Sequence, residues 1–219
     1  MRFLRDQGLT LALLAVFLLS LVGMLIAGWL QENALLAQHG VPQIGILTYS
    51  FSTPFLSALF ENWESEFLQM SAYVIMTAML FQRGSSESKD PDEPNSEDAD
   101  PSEKKTSEVS PWPIRTGGMI GALYSYSLGI ALVILFVVSF VFHWLASVDA
   151  SNQDAIMHNF ATRTAMEYLF EPQLWFESFQ NWQSEFLSTA VLVVLSIFLR
   201  YRGSPESKEV TDPHSKTGH

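Results

Sequence analysis

The sequence predicts an all-α integral membrane protein, a four-helix bundle made of two parallel tandem hairpin repeats with two spans each. Three observations predict this fold: four long apolar segments, an unequal distribution of Lys and Arg, and a segment that recurs within the chain. The chain has 219 residues, is 48% hydrophobic and yet carries a formal net charge of −11. This combination is typical of a membrane protein, because the charges are excluded from the apolar segments.

The four apolar segments cover about residues 8–30, 56–82, 120–147 and 174–201. At about 1.5 Å per residue, an uncharged helix over residues 8–30 is long enough to cross a hydrocarbon core of about 30 Å. The first and third segments are apolar on all sides, whereas a helix of a soluble bundle has a polar stripe. The first segment is longer than the apolar part of a signal peptide, about 7–15 residues, so we expect it to remain as a membrane anchor.

Lys and Arg are distributed very unequally between the connecting segments. Eleven of the twelve lie before the first span, between the second and third, or after the fourth, and only Arg163 lies in the segments between paired spans. Because basic residues are retained in the cytoplasm, we expect both termini and the central linker to be cytoplasmic in a bacterial inner membrane. The segments at about 31–55 and 148–173 then face outward, on a side that carries ten acidic residues.

The recurring segment defines the repeat. Residues 60–89 align with residues 179–208 without a gap, and 15 of the 30 positions are identical. His39 with His158 and Tyr49 with Tyr168 keep the same offset of 119 residues. Each repeat contains two spans, so both copies insert in the same orientation and are parallel repeats.

The repeats set the expected domain boundaries. We predict a first two-span repeat at 1–84, an acidic cytoplasmic linker at 85–114, a second repeat at 115–205 and a tail at 206–219. The linker is rich in Ser, Pro, Asp and Glu. We expect linker and tail to be disordered, because such segments bury too little apolar surface to fold.

Local patterns predict where helices begin and end. The first helix should continue through residues 29–38 to a turn at Gly40, and Ser151 with Asp154 resembles a capping box that opens a new helix. Arg83 and Arg202 each precede a glycine, a pattern typical of a helix C-terminus. We therefore expect these arginines to anchor the inner interface, and Trp63 and Trp182 to anchor the outer one.

A candidate polar site lies where the second and fourth spans begin, in the recurring Asn-Trp-x-Ser-Glu-Phe-Leu string. A helical projection places its polar residues on one side of each helix: Asn62, Ser65, Glu66, Asn181, Ser184 and Glu185. Glu66 lies 17 residues before Arg83, or about 25 Å along a helix, which places it at the outer edge of the membrane core. Three interpretations stay open. The glutamates are solvated or bonded to nearby Asn and Ser, or Glu66 and Glu185 face each other and bind a proton or cation, or they contact a partner protein.

The sequence lacks the motifs of several common enzyme and binding-site classes. The chain has no cysteine, which rules out disulfides, thiolate metal sites and a cysteine nucleophile. It has neither a GxGxxG nor a GxxxxGK[ST] nucleotide motif, and no GxSxG nucleophile motif. The acidic balance disfavours nucleic acid as a partner. His39 and His158 have no metal-ligand spacing, so we predict no metal, no cofactor and no enzymatic activity, with a metalloenzyme as the least favoured class.

The recurring strings also carry a family resemblance. RFLRDQGLTLAL at the start, FENWESEFLQ with QRGSSESK in the middle, and QNWQSEFL with RYRGSPESK at the end resemble an uncharacterised bacterial family of membrane proteins. That family carries only a label of unknown function, and its members resemble duplicated two-span units. They often have an Asn-Glu-Glu stretch after the first span, where this chain has Gln31, Glu32 and Asn33. The resemblance implies topology and brings no activity.

Two functions follow as expectations. The first is a non-enzymatic scaffold or accessory membrane protein, with the lipid bilayer, membrane-protein partners or a second copy of itself as partners. The alternative is a small cation or proton conduit that uses Glu66 and Glu185 under an acidic outer vestibule, because concentrated negative charge raises the local cation concentration. A conduit also needs polar steps deeper in the spans, and the residues available there are Gln69, Tyr73, Thr77, Ser188 and Ser196.

Overall fold

A computed structural model describes residues 2–100 and 110–218. All regular structure within them is helical, which confirms the all-α prediction. The α-helices in chain order are α1 Arg2–Asp6, α2 Gly8–Gln38, α3 Ile46–Ser50, α4 Thr53–Met79, α5 Trp112–Thr116, α6 Gly118–Ser125, α7 Ser127–Met157, α8 Ala165–Tyr168 and α9 Pro172–Phe198. A short 3-10 helix covers Ser96–Asp98.

Two helices, α2 and α7, are long and apolar enough to cross a membrane. Each has 31 residues, or about 46 Å at 1.5 Å per residue, which exceeds a hydrocarbon core of about 30 Å. Most of their large apolar side chains are exposed. As predicted, α2 continues past the apolar segment to Gln38, and the chain then turns at Gly40, whose φ is 69°.

The second and fourth apolar segments correspond to α4 and α9, which have 27 residues each. Their first halves carry several glutamates, and that they cross a membrane stays a prediction. Both helices end earlier than expected, at Met79 and Phe198. The prediction that Arg83 and Arg202 lie at helix C-termini is therefore wrong.

The early ends have a physical cause in the residues that follow. The backbone N–H of Gln82 donates to the hydroxyl of Ser88 over 2.8 Å, and that of Tyr201 donates to Ser207 over 2.9 Å. These bonds hold the chain in a turn beyond each helix, so the N–H groups do not continue the helical pattern. Gly84 and Gly203 do have positive φ, 84° and 88°, but they lie within these turns.

The expected capping box at Ser151 and Asp154 is also wrong, because α7 continues through both residues to Met157. No Gly or Pro occurs between residues 130 and 171, so nothing in the sequence interrupts the helix there. A capping box does form at Thr164, which opens α8: its hydroxyl accepts from the backbone N–H of Glu167, and the carboxylate of Glu167 accepts from the backbone N–H of Thr164.

The chain divides into two compact units. Unit 1 contains Met1–Phe60 and Phe142–Leu169, and unit 2 contains Glu61–Val141 and Phe170–His219. Each unit therefore contains parts of both sequence repeats.

In unit 1 the same hydrogen bonds recur 119 residues apart. The side chain of Asn33 pairs with the backbone N–H and carbonyl of Ile44, over 2.8 and 3.0 Å, and Asn152 pairs in the same way with Arg163, over 2.8 Å each. The rings of His39 and His158 meet edge to face with centroids 5.9 Å apart. Asparagine thus closes the loop after α2 and the loop after α7, because its amide satisfies both backbone groups of one residue.

Unit 2 shows the same recurrence after α4 and after α9. In each turn a serine hydroxyl accepts from the backbone N–H two residues later: Ser85 from Glu87 over 3.1 Å, and Ser204 from Glu206 over 3.2 Å. The RGSSESK and RGSPESK strings therefore encode a specific turn, which explains why they recur with so little change.

The described parts of the linker and tail adopt defined turns, which differs from the disorder expected there. The ammonium group of Lys208 is buried and donates to the carbonyls of Gly84, His214 and Lys216. The backbone N–H of Gly218 donates to the carbonyl of Ser85 over 2.9 Å. Hydrogen bonds, rather than apolar burial, hold these polar segments, which a composition argument does not detect. Residues 101–109 and 219 lie outside the described residues, and the domain boundaries stay a prediction.

Candidate functional site

Helices α4 and α9 of unit 2 contact each other through polar side chains. The amide of Asn181 donates to the carboxylate of Glu61, and the amide of Gln69 donates to the hydroxyl of Thr189. Between these two hydrogen bonds lie Glu66 and Glu185. We call the facing residues Glu61, Glu66, Gln69, Asn181, Glu185 and Thr189 the polar seam.

Helical spacing explains why the seam is continuous. Asn181, Glu185 and Thr189 are four residues apart, so they follow one side of α9. On α4, Glu61 and Gln69 are about 80° apart around the helix, and Glu66 lies about 60° beyond Gln69. Two helices that each carry such a stripe bring polar groups together over several turns.

Glu66 and Glu185 are close enough for their carboxylates to repel each other. Glu66 is exposed and Glu185 is half-buried. Carboxylate oxygens of Glu61 and Glu177 also lie within 4.8 Å of each other. Neighbouring carboxylates repel unless a proton or a cation is shared between them, so this arrangement favours the binding of positive charge.

Glu64 is a fully buried carboxylate beside the seam. One of its oxygens accepts from the hydroxyl of Ser178 over 2.7 Å and from the indole N–H of Trp182 over 3.2 Å. A buried carboxylate is stable only when it is hydrogen-bonded or neutralised. Neither α4 nor α9 contains a Lys or Arg, and neither do α2 and α7, so the carboxylate has no Lys or Arg from these four helices beside it.

Below the seam on α4, Tyr73 connects to the residues that follow the helix. Its hydroxyl donates to a carboxylate oxygen of Glu87 over 2.9 Å. Both side chains line an open pocket of about 970 Å³, together with several acidic residues and two lysines. Polar groups therefore extend from the start of α4 to this pocket, all within unit 2: the seam, then Tyr73, then Glu87.

The structure separates the predicted site residues into two groups. Glu66, Glu185 and Asn181 belong to the seam, although Asn181 bonds to Glu61 and not to either of the predicted glutamates. The other three make local contacts. Ser65 is buried and donates to the carbonyl of Asn62, Ser184 donates to that of Asn181, and Asn62 is exposed. Their predicted role in one site stays a prediction.

Sequence reasoning missed Glu61, Glu64 and Ser178. One signal could have identified the two glutamates, because they are positions where the repeats differ in charge: Gln180 and Gln183 occupy the equivalent places in the second copy. A glutamate that replaces glutamine in only one of two repeats adds negative charge where the fold does not require it. No comparable feature of the sequence distinguishes Ser178 from the other serines.

The expected interface anchors have different surroundings. Trp182 packs against Phe179 with ring centroids 5.3 Å apart and also bonds to Glu64, so it belongs to the interior of unit 2. Trp63 is half-buried. Arg83 pairs with Asp92, and this hydrogen bond lowers the pKa of the Asp92 carboxyl. Arg202 is exposed.

Comparison with known proteins identifies a family and nothing beyond it. No curated protein matches the chain, and no solved structure matches it. One family model, described as "Domain of unknown function (DUF6766)", matches residues 1–219. A match over the whole chain confirms the resemblance to an uncharacterised family that the recurring strings indicated, and the chain belongs to the DUF6766 family.

Proposed function

We propose that the chain is a multi-pass membrane protein whose polar seam conducts protons or small cations. In this proposal α2, α4, α7 and α9 are the four spans of a bundle made of two parallel hairpin repeats. The termini and the linker are cytoplasmic, and the first turns of α4 and α9 face outward. The distribution of Lys and Arg supports this orientation, because eleven of twelve lie on one side.

The observation that carries the proposal is the continuity of polar groups along α4. Glu61 and Glu66 lie at the outer end, Gln69 follows, and Tyr73 bonds to Glu87 at the inner end. From Glu61 to Tyr73 the helix rises about 18 Å, a large part of a core of about 30 Å. A conduit requires polar side chains at this depth, because an ion or a proton crosses hydrocarbon only where polar groups can bind it.

The excess of negative charge on α4 and α9 is the second support. The four long helices contain no Lys or Arg, yet α4 and α9 together carry five glutamates from Glu61 to Glu185. Carboxylates in such surroundings attract protons or cations from the acidic outer side. The site therefore suits binding and transfer of positive charge, and we propose no catalytic reaction.

The experiment is a flux assay in liposomes that contain the purified full-length chain. A pH-sensitive dye reports proton flux, and matched gradients of Na⁺ and K⁺ report cation flux. We expect Glu66→Gln with Glu185→Gln to reduce flux to that of empty liposomes. Tyr73→Phe removes the hydroxyl that reaches Glu87, and we expect it to lower flux about tenfold or more.

Asp149→Asn is the matched control, because Asp149 is an exposed carboxylate of α7 outside the seam, and we expect native flux. Two results would overturn the proposal: no flux of any of the three ions in the native protein, or unchanged flux in the double variant.

The scaffold function stays a prediction with weaker support. It relied on Trp63 and Trp182 as surfaces for a partner, and Trp182 is occupied by its contacts with Glu64 and Phe179. A defined partner that co-purifies from native membranes, together with silent liposomes, would favour the scaffold over the conduit.

A further inference from the structure

The short helices α3 and α8 of unit 1 occupy equivalent places in the two repeats, and each exposes two large apolar side chains. In α3 and its next residue, Leu47 is 78% exposed and Phe51 is 80% exposed. At the equivalent positions 119 residues later, Met166 is 60% exposed and Phe170 is 78% exposed. The members of each pair are four residues apart: Leu47 and Met166 lie in the short helices, and Phe51 and Phe170 follow one and two residues after the helix ends. We call these four residues the outer apolar pairs.

Each short helix also carries one buried side chain. Tyr49, between Leu47 and Phe51, is buried, and so is Tyr168 in the second copy. Tyr49 lies so close to Gly28 of α2 that a Cβ added there would be 2.3 Å from its hydroxyl oxygen. The orientation of the outer apolar pairs, away from the protein, is therefore fixed by packing.

Hydrogen bonds from two tryptophans fix the position of the short helices. The indole N–H of Trp29 donates to the carbonyl of Ile44 over 2.7 Å, just before α3. The indole N–H of Trp144 donates to the carbonyl of Ala165, the first residue of α8, over 2.8 Å. Each short helix is thus tied to a long apolar helix, α3 to α2 and α8 to α7.

The place where α3 is attached gives its depth. Gly28 lies 20 residues after Gly8, the first residue of α2, which is about 30 Å along the helix. If α2 enters the hydrocarbon core at Gly8, its contact with Tyr49 lies at the opposite boundary of the core. This step rests on the membrane topology proposed above.

The charge of the first outer loop agrees with this depth. No Lys, Arg, Asp or Glu occurs between Glu32 and Glu61, a stretch that includes all of α3. A loop surrounded by water has no reason to exclude charge over 28 residues, whereas a loop that lies in the membrane interface does.

We propose that α3 and α8 lie in the outer interface of the membrane, with the outer apolar pairs inserted between the lipids of the outer leaflet. Lipid is the occupant because α3 is attached to α2, whose exposed apolar side chains face lipid in the topology proposed above. Amphipathic segments with an apolar side bind at this level of a bilayer, and here tertiary contacts hold two of them in place. In this proposal α3 and α8 lie at the level of the headgroups, while the loop residues before them can still reach water.

Site-specific fluorescence tests the proposal, and the absence of cysteine makes single labelling straightforward. An environment-sensitive dye is attached to Phe51→Cys or Phe170→Cys in the full chain, reconstituted in phosphatidylcholine vesicles. We expect blue-shifted emission, and quenching by lipids with a nitroxide near the headgroup at least about twofold stronger than at Gln38→Cys. Gln38 is the matched control, because it is exposed and lies about 15 Å further along α2 than Gly28.

Two outcomes would overturn the proposal. Strong quenching by aqueous iodide at Phe51→Cys and Phe170→Cys would place the outer apolar pairs in water. Protection from both iodide and nitroxide lipids would show that protein, such as a second copy, covers them. A dye at Phe17→Cys, in the middle of α2, separates this failure from failure of the topology: deep nitroxide lipids should quench it even if α3 and α8 lie outside the membrane.

Discussion

At the scale of single residues, the most unusual feature is the buried carboxylate of Glu64. Ser178 and Trp182, both from α9, donate hydrogen bonds to it. Ser178 and Trp182 depend on Glu64 in turn. A buried hydroxyl or indole N–H that loses its acceptor has no water with which to replace the lost hydrogen bond. Glu64 therefore joins α4 to α9 at the same level as the polar seam.

Removing this acceptor should destabilise the protein. We expect Glu64→Ala to lower the free energy of unfolding by about 1–3 kcal/mol, because Ser178 and Trp182 lose their acceptor in a buried place. Glu64→Gln keeps an acceptor oxygen and should lower the free energy of unfolding by less. Denaturant unfolding in detergent, followed by tryptophan fluorescence, measures both.

The repeat supplies the control for this experiment. Gln183 occupies the equivalent position on α9, is exposed, and bonds only to the nearby carbonyl of Gln180. We expect Gln183→Ala to change the free energy of unfolding by less than about 0.5 kcal/mol. Equal losses at positions 64 and 183 would contradict the role assigned to Glu64.

At the scale of elements, the sequence predicts the long helices well and their ends less well. The extension of α2 to Gln38 follows from local pattern alone, because nothing interrupts the helix before Gly40. The ends of α4 and α9 depend on hydroxyls nine residues beyond the last helical residue: Ser88 accepts from Gln82, and Ser207 accepts from Tyr201. A cap formed across a turn leaves no sign in the residues next to the helix end, so the arginine and glycine pattern was misleading.

The attachment of α3 to α2 is a contact between elements that sequence alone does not reveal. Gly28 appears in the sequence as one of several small residues in an apolar helix, and Gly23 is equivalent by every local criterion. Only the structure distinguishes them: Tyr49 lies against Gly28, and nothing lies within 4 Å of a Cβ added at Gly23.

This difference predicts opposite effects for the same substitution. Gly28→Ala should lower the free energy of unfolding by about 1–3 kcal/mol, because the added methyl group displaces Tyr49. Gly23→Ala should raise it by up to about 1 kcal/mol, since alanine favours the helix. Thermal unfolding of the two variants compares them directly. In a Tyr49→Phe background, Gly28→Ala should lower the free energy of unfolding by less. An equal decrease in both backgrounds would show that the tyrosine hydroxyl is not what the added methyl group displaces.

At the scale of the whole molecule, the repeat is the feature from which most else could be predicted. An offset of 119 residues in the sequence becomes the same asparagine pair in both outer loops and the same serine turn after α4 and α9. The candidate site was predictable only in part, because its extra glutamates, Glu61 and Glu64, depart from the repeat. The symmetry of the repeats predicts the structure that both copies share. Glu61 and Glu64 depart from this symmetry and add charge that the shared structure does not require.

The orientation of the molecule in a membrane gives the last prediction. We expect the loop between α7 and α8 to lie outside the cytoplasm and the linker after α4 to lie inside, because eleven of twelve Lys and Arg belong to the inner side. Single cysteines at Thr162 and Glu97, both exposed, report the two sides. A maleimide that cannot cross the inner membrane should label Thr162→Cys in intact spheroplasts, and Glu97→Cys only after lysis. Labelling of Glu97→Cys before lysis would show that the topology is the reverse of the proposed one. The acidic end of the polar seam would then face the cytoplasm, contrary to the orientation that the distribution of Lys and Arg predicts.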